Sequence, residues 1–149
     1  MRLVTIKSSK LKAYTADPEM LQKSKRPCVL IIQLKYKGNR YDFAVPLRSN
    51  ISPAAPKDQY FPLPPRSTTK ARHHHGVHYI KMFPVKRADT EYFLTKGNVG
   101  ATFMKSILDK NEKQIVKECQ QYLNDYEQGR RPAYSTDIDL LLNVTGLKK

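Results

Sequence analysis

Two apolar runs, Cys28 to Tyr36 and Tyr41 to Val45, stand on either side of the step Lys37-Gly38-Asn39. Runs rich in β-branched and aromatic residues joined through so short a glycine-bearing link read as a β-hairpin. Around this pair the remaining segments take their places. RLVTI at residues 2 to 6 reads as a short strand, VHYIKMFPV as another, and DTEYFLTKG as a strand or a short helix. In VHYIKMFPV, alternation sends His78, Ile80 and Met82 to one face and Tyr79, Lys81 and Phe83 to the other. DPEMLQK predicts a short helix capped by Asp17 with Pro18 at its first position.

The last part of the chain is helical in pattern. ATFMKSILD gathers Phe103, Met104, Ile107 and Leu108 on one face, and Asn111 with Gln114 has capping-box spacing for a second helix. There Ile115, Val116, Cys119, Tyr122, Leu123 and Tyr126 recur at helical spacing, and Gly129 marks the end. STDIDLLLNVTG is apolar enough to dock, in no stated form. Strands followed by helices predict an α+β fold, a strongly twisted antiparallel β-sheet with helices packed on one face. A length of 149 residues predicts one folding unit over 1–149.

Charge narrows the function classes. The net charge is +14, and residues 1 to 87 hold 18 Lys and Arg against 4 Asp and Glu, whereas residues 88 to 149 hold 9 against 9. A surplus confined to one region points to a polyanion, because cations that neutralise phosphates release counterions. No basic amphipathic helix argues for a membrane surface, and no basic recognition helix for a DNA-binding regulator. No apolar run is long enough to span a bilayer, and MRLVTIKSSK lacks a signal-peptide core, so the expected compartment is a bacterial cytoplasm. Cys28 and Cys119 are far apart among apolar neighbours and read as free buried thiols.

From Ser49 to Arg72 the chain is polar and holds five prolines, which reads as a long loop of the functional kind. Four histidines follow or abut it. Metal-dependent nucleases need several carboxylates, and residues 1 to 87 offer only Asp17, Glu19, Asp42 and Asp58 on separate elements. No metal or other cofactor is expected; His75 and His78 as a metal pair lack partner ligands. RNA cleavage needs none: the 2′-hydroxyl attacks its own phosphate once one group takes its proton, another protonates the departing 5′-oxygen and cations hold the charge. His75 and His78 suit proton transfer, Arg48 and Ser49 the phosphate, and Lys57, Arg66, Ser67, Thr68, Lys70, Arg72 and Lys81 the strand. His78 reads equally as a buried core imidazole. Tyr60 and Phe61, placed in the loop, are candidates for stacking on bases, as is Tyr14. A non-catalytic RNA-binding protein explains the charge as well, though not the histidines.

LVTIKSSKL, YDFAVPLRSNI, FPLPPRSTTKARHHHGVHYIKMFPV and KNEKQIVKECQQYLNDYEQG occur in an order that resembles the ToxN/AbiQ superfamily, its TenpN-like branch most of all. This resemblance implies a type III toxin-antitoxin toxin of plasmid or phage-defence systems. Such a protein is a metal-independent endoribonuclease that cuts mRNA, leaves a 2′,3′-cyclic phosphate, and is held by a repeat-derived pseudoknot RNA in closed assemblies. Pro46, Leu47, Arg48 and Ser49 match a Pro-Leu-Thr-Ser catalytic segment, with arginine in place of threonine. Arg26 matches a lysine of the family. Lys10 stands where the family has a tyrosine, and Tyr14 is the nearest tyrosine.

Overall fold

The hairpin forms where its sequence places it. In a computed structural model that describes residues 1–14, 17, 28–93 and 98–149, β2 (Cys28–Tyr36) pairs antiparallel with β3 (Asn39–Ile51), from Tyr36 opposite Asn39 to Val29 opposite Pro46. Lys37 and Gly38 make the turn at φ 50° and 80°. Two positive φ values give the two-residue turn whose twist matches that of the strands, and the glycine adopts its value without steric cost.

β1 (Arg2–Ile6) pairs with β2, and β7 (Thr90–Tyr92) with β1. On the far side of β3 lie β5 (His74–His78) and, at the border, β4 (Tyr60–Leu63); β6 (Phe83–Pro84) also pairs with β3. All these pairings are antiparallel, in the order β4-β5-β3-β2-β1-β7. The helices among the described residues are α1 (Leu11–Tyr14), α2 (Val99–Lys110), α3 (Glu112–Glu127) and α4 (Ile138–Val144). The α+β architecture on an antiparallel sheet is therefore the observed one.

Strand alternation divides the core. Leu30, Ile32, Leu34 and Tyr36 of β2 join Phe43 and Val45 of β3 beneath Ile115, Cys119, Tyr122, Leu123 and Tyr126 of α3. Val29 and Ala44 point the other way, to Tyr14 of α1, Phe83, Val85 and Leu141 of α4. Helices thus cover both faces, not one. The α3 stripe is buried as its spacing predicts, and α3 ends before Gly129, at φ 92°, where the Arg130 amide donates to the Asp125 carbonyl. The apolar tail forms α4, whose N-terminus is capped by the Asp137 side chain accepting from the Leu140 amide.

Several local expectations fail for physical reasons. VHYIKMFPV is not one strand: β5 stops at His78, Tyr79–Lys81 turn as a 3-10 helix, and β6 resumes at Phe83. Opposite the gap stands Pro46, which has no N–H to offer a strand there. The stretch from Ser49 to Arg72 is less irregular than its prolines suggest, since β3 runs on to Ile51 and residues 60 to 63 form β4. Pro62 is tolerated because β4 is a border strand. Asn111 does not cap α3; its amide donates to the Ile107 carbonyl, while Gln114 bonds Glu118. Phe103 is 58% exposed, off the core face expected of it. The helix expected from Asp17 to Lys23 lies outside the described residues, apart from Asp17, whose carboxylate accepts from the Asp137 amide.

Candidate functional site

The register of β3, β5 and β4 decides which candidate groups meet. Leu47 faces Val77, Val77 faces Phe61, and His75 faces Leu63, so these side chains share one side of the sheet. Arg48 faces Gly76, Gly76 faces Pro62, and His78 faces Tyr60, on the opposite side. The expectation that Arg48, Ser49, His75 and His78 surround one phosphate is corrected: the two imidazoles lie on opposite faces and cannot share a ligand. Glycine is required at position 76, where an added Cβ would stand 2.2 Å from the Phe61 carbonyl oxygen.

On the first side is a cleft of about 530 Å³ lined by Cys28, Leu47, Arg66, Ser67 and His75, with Asn98 and Gly100 from the start of α2 across from them. His75 is 4% exposed, and its Nδ1 lies 2.8 Å from the Pro64 carbonyl oxygen. A carbonyl only accepts, so Nδ1 carries the proton and Nε2 of the neutral ring keeps its lone pair. Burial lowers the His75 pKa, the bond to Pro64 opposes this, and Arg66 lowers it further. The ring is therefore a neutral base at physiological pH. Burial pushes the Cys28 thiol up to about 11, so it keeps its proton and is no nucleophile.

On the second side, a cleft of about 580 Å³ holds Arg48, Asn50, Gln59, His78, Lys81 and Tyr134 among apolar walls. Arg48 Nη1 lies 3.5 Å from His78 Nδ1, a weak contact in which the guanidinium can only donate. His78 Nε2 therefore bears the hydrogen; it is buried with no hydrogen-bond partner among the described residues. Burial foremost, then Arg48 and Lys81, bring the His78 pKa down to about 3. Burial also lowers the Arg48 pKa. Lys81 is buried, and its Nζ donates to the Tyr134 carbonyl at 2.6 Å.

Ser49 enters the irregular step of β3 between Arg48 and Ile51; it is half-buried and lines neither cleft. Lys10, Lys57, Arg66, Ser67, Thr68, Lys70 and Arg72 are exposed, and no ion pair among the described residues involves these cations. Three aromatic candidates are not free to stack on bases. Tyr60 and Phe61 are each 7% exposed within β4, Tyr60 against the His74 ring. Tyr14 is buried and donates to Asp89. Arg26 lies outside the described residues. Asn50, whose amide oxygen accepts from the Lys70 N–H at 2.7 Å, and Tyr134, from the segment between α3 and α4, belonged to no sequence pattern. Among the described residues no three His, Cys, Asp or Glu side chains form a group that could hold a metal ion, and no helix is long and apolar enough to cross a membrane.

No family model and no curated protein matches the sequence. Solved structures do match in shape. One is from a bacterial antiviral system regulated by a processed non-coding RNA, at TM-score 0.71 and 14% identity over 100% of both chains. A second, from work on selective toxin inhibition by a non-coding RNA pseudoknot in bacterial type III toxin-antitoxin systems, has TM-score 0.72 and 14% identity, covering 99% of this chain and 98% of its own. The third is AbiQ, a lactococcal anti-phage endoribonuclease of the type III toxin-antitoxin system, at TM-score 0.67 and 13% identity, covering 98% and 96%. This chain has their fold. The ToxN/AbiQ-type scaffold expected from the sequence order is thus present along nearly the whole chain, at an identity that speaks for fold alone.

Proposed function

We propose that this protein is a metal-independent endoribonuclease of the type III toxin-antitoxin kind, restrained by a structured RNA that pairs with its basic face. The observation that carries the reading is His75: a buried imidazole held in one tautomer by the Pro64 carbonyl, with Nε2 open, in a cleft that also holds Arg66 and Ser67. The fold shared with AbiQ, an endoribonuclease, supports the class, and the RNA pseudoknot that inhibits the second neighbour supports the partner. An RNA partner also accounts for the exposed cations of the 57–72 region, which form no ion pair among the described residues.

In this reaction His75 Nε2 takes the proton of the RNA 2′-hydroxyl as O2′ forms its bond to phosphorus. The bond from phosphorus to O5′ breaks, and the oxygen departs as a hydroxyl with a proton from solvent. The products are a 2′,3′-cyclic phosphate and a 5′-hydroxyl end. Arg66 and Ser67 stabilise the charge that grows on the non-bridging oxygens.

Incubation of the purified protein with an A-rich single-stranded RNA in EDTA, followed by mapping of the ends, tests the reading. Cyclic-phosphate ends are expected, and His75→Gln should cut cleavage by about 10²-fold or more while antitoxin RNA still binds. Intact RNA under these conditions would leave a binding protein in place of an enzyme.

A further inference from the structure

We propose that Phe103 of α2 is the base-stacking residue of the His75 cleft: it carries the base of a nucleotide beside the phosphate that His75 attends, so that α2 is the wall which grips the substrate. The spacing of ATFMKSILD assigns Phe103 to the core with Met104, Ile107 and Leu108, yet its ring is 58% exposed. Among the described residues six large apolar side chains stand exposed, Tyr92, Val99, Phe103, Tyr134, Leu140 and Val144, and of these Phe103 alone lines this cleft. A ring left in water there offers a π-face that an unpaired base covers. Phe93 and Met104, packed in part against the core, complete the apolar half of the lining.

Size and charge fit such an occupant. The volume of about 530 Å³ falls among those of small-ligand sites, about 300–1,000 Å³. Arg66 lines the cleft and no Asp or Glu does, which suits a ligand that carries a phosphate with its base. Gly100 keeps the space open. It stands in α2, where glycine is among the least favourable residues, and an added Cβ would meet nothing nearer than Asn98 Oδ1 at 3.6 Å. The fold does not demand glycine at this position; the cleft that it lines does. The class of ligand rests on the ribonuclease reading, but the binding test does not.

The chain has no tryptophan, so Phe103→Trp places a single indole reporter in the cleft. At saturation its fluorescence should be quenched by the 2′-fluoro form of an A-rich strand, which lacks the attacking hydroxyl and stays whole, and not by the same backbone without bases. Phe103→Ala, at an exposed side chain whose loss opens no core cavity, should weaken binding of this strand about tenfold. In cleavage it should raise KM with kcat nearly unchanged, and Phe103→Trp should restore KM. Gly100→Leu should weaken binding as well while raising the melting temperature, a pair of effects that damage to the fold cannot produce. Quenching that is absent, or equal with the base-free strand, and unchanged affinity in Phe103→Ala would each overturn the proposal while leaving cleavage at His75 intact. Quenching by bases in a protein that cuts no RNA would keep the subsite and remove the enzyme.

Discussion

His75 and His78 are three residues apart and chemically identical, yet their surroundings assign them opposite tasks. His75 has a carbonyl on Nδ1 and an open Nε2; His78 has two cations for neighbours and a ring that stays neutral until its pKa of about 3. That depression has a consequence for stability. Between the ordinary histidine value near 6.5 and the folded value near 3, the unfolded chain binds a proton that the folded chain refuses. Folding free energy should therefore fall by a few kcal/mol as pH drops through this window, with Arg48 and Lys81 the charges that face the ring. Urea midpoints measured at neutral pH and near pH 4.5 check this; His78→Leu should remove most of the dependence that His75 does not supply. The sequence offered both rings for proton transfer and His78 equally for the core, but it could not divide the two roles between them, because VHYIKMFPV gives the alternation of His78 but not the end of its strand. The basic, histidine-bearing region was legible. Which side chains it brings together was not, since that follows from the pairing of β5 with two different strands.

At the level of the strand and helix, legibility followed local pattern. The β2–β3 hairpin, the α3 stripe and its stop at Gly129 depend on neighbours within a few residues, and all appear as spacing predicts. β4 and the 3-10 turn at Tyr79–Lys81 depend on partners distant in sequence, and neither could be read. Close approach of β4 to β5 is one such long-range demand. Gly76→Ala would press its methyl into the Phe61 carbonyl, and the sheet must part there, at a cost of about 3 kcal/mol. A thermal melt should show the loss. Since β5 carries His75, RNA cleavage should decline in that variant as well. Core residues of α3 set the comparison: Leu123→Ala, at a fully buried position, should cost a similar amount, about 2–5 kcal/mol, and leave both clefts in place.

Across the whole molecule, charge is divided as the chain is. The first 87 residues hold the entire surplus, and several acidic groups of the remainder are drawn into internal pairings, among them Asp139 with Lys37 and Arg131, and Asp109 with the N-terminal amine. Cations left over on the 57–72 segment should make RNA affinity salt-sensitive. If Lys57, Arg66, Lys70 and Arg72 each meet a phosphate, binding to single-stranded RNA should weaken about fifty-fold between about 50 and about 200 mM salt. Filter binding across that range measures the slope, and a flat response would remove the polyanion from the account. One further property concerns self-association. The border strand β4 spans four residues and spends one of them on Pro62, so it presents a broken row of amides to any second copy. Molecules built this way resist zipping together through their own backbones at that rim.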